Sequence, residues 1–372
     1  MSNLDRNKET QDLCIVIFIA VTIILIIGSS FPNALSISSL KNKDQSYYTS
    51  QVGNRDGGNN ASTSKHIHNQ YFISVGHLNS TPRFNSNPGS KNVIGNILSN
   101  SSNKVVMINF DDGRKSQLIY AKPILDKYGF KAGFFIICGR VGTEPSSMNW
   151  QDIAELKKDG MDIESHSMTH TNLNKLSTKA LKYEIGGSKE CFAKHGYNTT
   201  IFGYPFNLGS DKPSVVNLVA KYYNIGRSGT DRLMFLHCKG YVKDTQTDCR
   251  TYLPNGKLTH ANRYDIRSAS FYHVSNKHNF TPAEMFHVFL RIVNGQTPYN
   301  SNGKINAIPI IVYHNITSSL RDYTIPSHAA TTTLKLFAQE MKYLHDNGFR
   351  VLLLNQLGYD SNNNVFYIKS SA

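Results

Sequence analysis

The stretch Val105-Val106-Met107-Ile108-Asn109-Phe110-Asp111-Asp112-Gly113 sets a short apolar, partly β-branched run directly against two carboxylates and a glycine. Such a run predicts a buried strand. Adjacent residues at a strand end point in different directions, so one of the two aspartates can bind a metal while the other reaches a water beside it. Gly113 lets the backbone turn sharply into the next helix. A second strand, predicted over 161–164, leads into Glu164-Ser165-His166-Ser167-Met168-Thr169-His170. In a helical turn or compact loop, histidines four apart face one side and can grip one ion. Two imidazoles and one carboxylate leave coordination positions open, as a catalytic metal requires and a closed structural site does not. Asp-Asp-Gly alone is a common turn, and a His pair alone is more often solvated. The conjunction, with a strand before each half, carries the reading.

Further apolar runs begin near 132, 201, 225, 263, 307 and 350. Between them, helices are predicted over 115–128, 150–158, 178–195 and 331–347, each ending at or near a glycine that accepts the left-handed conformation. Alternating strands and helices predict an α/β fold built on a parallel sheet.

The two motifs resemble those of the polysaccharide deacetylases (the NodB-homology, carbohydrate esterase family 4 enzymes), Thr-Phe-Asp-Asp-Gly and His-(Ser/Thr)-x-x-His, with Asn109 in place of the threonine. The resemblance covers roughly 104–357 and implies a distorted (β/α) barrel of about seven strands with its chemistry at the strand ends. It implies that Asp112, His166 and His170 hold a divalent metal, zinc by default, and that Asp111 is the base. The third motif, Arg-x-Pro-(Tyr/Phe), is matched by Gly203-Tyr204-Pro205-Phe206, so that Tyr204, Pro205 and Phe206 line the groove and a backbone N–H near Phe206 serves the oxyanion. The arginine that pairs with the catalytic aspartate in the family is Gly203 here. Arg267 is the first replacement expected, Arg227 the second. The fifth motif, Leu-x-His, is matched by Val312-Tyr313-His314 and makes His314 the general acid. Asp265 or Asp231 would supply the fourth-motif carboxylate that orients it. The implied reaction is removal of N-acetyl groups from an N-acetylated polysaccharide or oligosaccharide. The alternatives are a carbohydrate-binding surface protein of the same fold that has lost catalysis, motivated by the missing arginine, and an amidase for a non-sugar substrate.

The 372 residues divide into an N-terminal segment 1–31, an Asn/Ser-rich tether 32–103, the catalytic region 104–357 and a C-terminal tail 358–372. Leu13 to Gly28 is apolar and uncharged and reads as a signal anchor or a cleaved signal peptide. Either places the catalytic region outside the cytoplasm, membrane-anchored or secreted. Tyr71-Phe72-Ile73-Ser74-Val75 is a possible strand within the tether. Of five cysteines, Cys14 lies in the apolar segment, Cys238 and Cys249 flank a polar loop that a disulfide would stiffen, and Cys138 and Cys191 read as buried thiols. The formal charge of +14 favours anionic surfaces. The dispersion of its lysines and arginines, without a nucleic-acid motif, argues against nucleic acid as the partner.

Overall fold

Strand β1 (Val105–Asp111) is buried along its whole length. In the computed structural model, which describes residues 103–229, 232–237, 263–273, 279–324 and 330–369, β1 belongs to an eight-stranded sheet. Its other members are β2 (Gly133–Ile136), β3 (Asp162–Ser165), β4 (Ile201–Gly203), β5 (Ile225–Arg227), β6 (Ala269–Ser270), β7 (Ile310–Tyr313) and β8 (Arg350–Leu352). They pair in parallel in the order β5-β4-β3-β2-β1-β7-β6, with β8 beside the first half of β1. The ring closes between β5 and the segment entering β6. There Ser228 N–H donates to the Ile266 carbonyl at 2.8 Å, and Ile266 N–H donates to the Gly226 carbonyl at 2.9 Å. The fold is therefore a distorted (β/α) barrel, and a strand stands at each predicted apolar run, although the run from 263 becomes strand only at Ala269–Ser270.

Strand alternation divides the side chains between two apolar layers. Val105, Met107, Phe135, Ile201, Ile225, Ile266 and Ile310 pack together inside the ring. Val106, Ile108, Phe110, Phe134 and Ile136 pack outward with the helices. Burial on both faces is why β1 reads as a continuous apolar run rather than an alternating one. The inward series 105, 107, 109 delivers Asp111 to the mouth of the barrel at the strand's C-terminal end.

Two predicted helices are interrupted. The first has a wide π-type turn, Gln117–Ala121, before helix α1 (Lys122–Lys127). The second splits into Thr178–Lys182 and Ser188–Lys194 around another such turn, Tyr183–Gly187. The wide turns carry Gln117 and Glu184, both buried, whose side chains bond the backbone of neighbouring strand ends and loops. The helix predicted over 331–347 starts at Leu334, because Thr331–Thr333 pairs in parallel with Asn315–Thr317. Residues 358–372 are not simply a tail: Leu357–Asp360 and Val365–Ile368 form an antiparallel hairpin, and Phe366 is buried against the barrel's inner cluster.

The cysteine reading needs correction. Cys138, just after β2, and Cys191, on Ser188–Lys194, are joined in a disulfide rather than held as two thiols. The fold brings them together across 53 residues, with Cα atoms 6.4 Å apart, a proximity that spacing along the chain does not reveal. The Cys238–Cys249 bridge, Cys14, Asp231, the N-terminal apolar segment, the tether and its strand lie outside the described residues. Among the described residues no helix is long and apolar enough to cross a membrane.

Behind β7, the Tyr313 hydroxyl donates to Glu340 Oε2 at 2.7 Å. Burial pushes the Glu340 carboxyl up to about 8, against the lowering effect of that bond. Because the folded value lies above the unfolded one, the native state holds a proton between about pH 4.5 and 8 that the unfolded chain has lost. Stability contributed by this group therefore falls as pH rises through that window. Denaturant titrations from pH 5 to 8 should show the parent losing up to about 1.4 kcal/mol per pH unit more than Glu340→Gln; parallel slopes would mean that Glu340 folds ionised.

Candidate metal centre and active site

Asp111, Asp112, His166, His170 and His314 meet at the C-terminal mouth of the barrel. β1 supplies Asp111 and the turn after it Asp112, the loop after β3 supplies His166 and His170, and the residue following β7 is His314. A left-handed turn at Asp112 (φ 78°) swings its carboxylate into the mouth beside that of Asp111. Gln117 ties two strand ends together, its amide donating to the carbonyls of Asp111 (2.6 Å) and His314 (2.8 Å).

Ligand atoms of Asp112, His166 and His170 lie within 4.8 Å of one another, a spacing at which they could hold a metal ion. His166 Nδ1 lies 2.9 Å from the Gly203 carbonyl, which can only accept, so Nδ1 carries the proton and Nε2 presents a lone pair. That lone pair faces Asp112 Oδ1 at 3.9 Å and Asp111 Oδ2 at 3.7 Å. His170 Nε2 lies 3.5 Å from the same Asp112 oxygen, which is buried and has no hydrogen-bond partner among the described residues. A proton on His166 Nε2 is disfavoured, since burial outweighs the two aspartates and holds this imidazole below its ordinary value. Burial, together with His166, pushes His170 down to about 3. Neutral imidazoles around an orphaned carboxylate oxygen suit a cation, and the donor set fits one divalent transition metal with open positions.

Asp111 is not tuned by Arg267. Arg227, fully buried, places Nη2 2.6 Å from Asp111 Oδ1 and lays its guanidinium 4.3 Å above the Phe135 ring. Arg267 instead pairs with Asp265 at 2.8 Å. The cause is strand alternation: Ile266 and Ser268 face inward, which turns 265 and 267 the other way, whereas Arg227 shares the inward face of Ile225. Burial drives the Asp111 carboxyl up, but Arg227, helped by His166 and His314, more than offsets it and holds the group below the usual carboxylate range. Oδ1 is thus taken by Arg227, while Oδ2 faces His166 and, at 4.0 Å, His314 Nε2.

Arg227 also explains Gly203. These residues are register partners on β4 and β5. A Cβ at 203 would lie 2.7 Å from Arg227 Nη2, 2.8 Å from Phe135 and 3.0 Å from His166 Nδ1. The cation comes from the neighbouring strand and occupies the space that a side chain at 203 would need.

Tyr204 and Pro205 are buried, and Phe206 turns left-handed (φ 57°) and exposes its ring at the rim, 4.4 Å from the His170 ring. Asp265, committed to Arg267, is not the carboxylate that orients His314, whose Nδ1 has no hydrogen-bond partner among the described residues. One site residue escaped sequence reasoning. Tyr272, two residues past β6, places its ring 5.9 Å from the imidazole of His314. Burial first, then the charges of Asp111 and Asp112, push its phenol up to about 12. Its position just past a barrel strand was the available signal.

Residues 99–223 match the family profile described as polysaccharide deacetylase. This region resembles the polysaccharide deacetylases. It contains both aspartates and both histidines of the loop 166–170, whereas Arg227, Tyr272 and His314 lie beyond it. Among curated relatives, the Bacillus subtilis (strain 168) protein YxkH, provisionally named a polysaccharide deacetylase, is 36% identical over 105 residues, 28% of this chain and 37% of the relative. A bifunctional xylanase/deacetylase of Pseudobutyrivibrio xylanivorans is 30% identical over 97 residues, 26% of this chain and 15% of that protein. The chain thus spans well under half the length of either. Similar solved structures include a family 4 carbohydrate esterase from Streptomyces lividans in complex with acetate, with TM-score 0.41 and 14% identity, covering 72% of this chain and 99% of that one. Another is the peptidoglycan deacetylase PdaC from Bacillus subtilis, with TM-score 0.36 and 17% identity, covering 68% and 89%.

Proposed function

We propose that this protein is a metal-dependent hydrolase that removes N-acetyl groups from an N-acetylated glycan outside the cytoplasm. The observation that carries the reading is the convergence of Asp112, His166 and His170 within 4.8 Å, with Asp111 Oδ2 left free beside them. A divalent ion, zinc by the preference of a site with two imidazoles, would polarise the acetyl carbonyl and acidify the attacking water. Asp111 Oδ2 takes the proton from that water, and Arg227 keeps the carboxylate ionised for the task. The turn at Phe206 offers backbone N–H to the developing oxyanion. His314 gives a proton to the departing amine, so that water and amide become acetate and free amine. The Cys138–Cys191 disulfide, together with the apolar Leu13 to Gly28 run, supports an oxidising compartment, reached through an anchor or a cleaved signal. The binding-protein alternative rested on a missing arginine, and Arg227 removes that motive.

The test is acetate release from N-acetylglucosamine oligomers by the full chain, before and after chelation and on re-addition of zinc. Release that vanishes on chelation and returns with zinc is the expected result, and Asp112→Ala should lose both zinc and turnover. Glycan binding by the zinc-loaded protein without acetate release would favour the binding protein; release from small amides alone would favour the amidase.

A further inference from the structure

We propose that Glu184 and the Cys138–Cys191 disulfide form a two-jawed clamp that holds the loop 166–170 in the shape its histidines need to bind a divalent cation. The inference rests on the reading of Asp112, His166 and His170 as metal ligands.

The loop needs holding. Ser167 (φ 67°) and His170 (φ 63°) are both left-handed without being glycine, a conformation that persists only where the surroundings over-determine it. One jaw is the backbone just after β2. Cys138 N–H donates to the Ser167 carbonyl at 3.2 Å, and Gly139 N–H donates to the Met168 carbonyl at 2.9 Å. A Cβ at Gly139 would lie 2.6 Å from that Met168 oxygen, so the approach is closer than any other residue allows. The second jaw is Glu184, buried on the wide turn Tyr183–Gly187. Its backbone carbonyl accepts from Met168 N–H at 3.1 Å, and its carboxylate accepts from Thr169 N–H at 2.9 Å and the Thr169 hydroxyl at 2.5 Å. The three residues between the histidines are thus gripped from both sides. Cys191 lies on the helix that continues from the wide turn, so its bond to Cys138 joins the jaws covalently. Neither jaw supplies a metal ligand. Both are positioning elements that lower the cost of arranging His166 and His170 before an ion arrives.

The experiment compares zinc affinity, by competition with a chromophoric chelator, for the full-length protein, Glu184→Ala, Glu184→Gln and the double variant Cys138→Ala/Cys191→Ala, with melting temperatures recorded alongside. Glu184→Ala should bind zinc about 10- to 100-fold more weakly, as loss of outer-shell support does elsewhere, and the double cysteine variant about 10-fold more weakly. Glu184→Gln should stay within about threefold of the parent, because its carbonyl can accept from Thr169 N–H while its amide donates to a reoriented Thr169 hydroxyl. A role confined to stability would lower melting temperatures and leave zinc affinity in the folded variants unchanged, which would overturn the clamp. If the double variant does not fold, the two Glu184 variants decide. A parent that binds no zinc overturns the metal-site reading itself, and the clamp with it.

Discussion

Asp111→Asn should lose acetate release by about 10²- to 10⁴-fold, the range that positioned acid–base groups contribute, while binding zinc as tightly as the parent. The two aspartates are neighbours with different surroundings. Asp112 Oδ1 lies between the two imidazoles, whereas Asp111 spends Oδ1 on Arg227 and leaves Oδ2 facing His166 and His314. Asparagine still accepts from Arg227 but cannot take a proton from water, so the variant isolates the base from the metal site. Metal content and initial rates measured on the same preparation make the check. An Asn variant with parental rates would remove Asp111 from the mechanism, and one that lost zinc would show that Asp111, too, is a ligand.

Arg227→Met should lower stability by about 3–5 kcal/mol, the usual result of stripping one partner from a buried ion pair, and should cut turnover at neutral pH at least about tenfold. The carboxylate left behind is 4% exposed, with its compensating cation gone. Burial then prevails, the Asp111 carboxyl rises from its depressed value, and the acidic limb of the pH–rate profile moves to higher pH. Arg227→Lys keeps the charge but not the flat guanidinium that lies over Phe135 while reaching Asp111, so it should restore only part of the loss. Equilibrium denaturation and pH–rate profiles of the three proteins provide the comparison. A Met variant with an unshifted acidic limb would mean that another cation tunes Asp111.

Much of the barrel was legible because its strands are buried on both faces and its helices end at glycines. Apolar runs and stop signals survive without tertiary information. The residues proposed to hold the metal stood out for a related reason: Asp111-Asp112 and His166 to His170 are local clusters, each at the end of one strand. What could not be read were relations across the ring. Choosing Arg227 over Arg267 depends on which face of each strand points inward, and nothing local announces that, although Ile225 two residues earlier carries the hint. Pairing Cys138 with Cys191 depends on a helix folding back over the end of β2. The wide turns carry local warnings that periodicity alone passes over: Pro123, which cannot donate back to Ile119, follows Gln117–Ala121, and Gly186-Gly187 lies in Tyr183–Gly187.

The shared space at positions 203 and 227 also constrains how such a sequence can diverge. An arginine at 203 would crowd Arg227, Phe135 and His166 as they now stand, and a chain with neither arginine leaves Asp111 without its counter-charge. Moving the charge between these positions by single substitutions passes through a chain that is either crowded at 203 or lacks a cation beside Asp111. Alignments of sequences sharing this fold should therefore show the two positions switching as a pair. Motif searches that demand an arginine at the first will pass over chains that place it at the second.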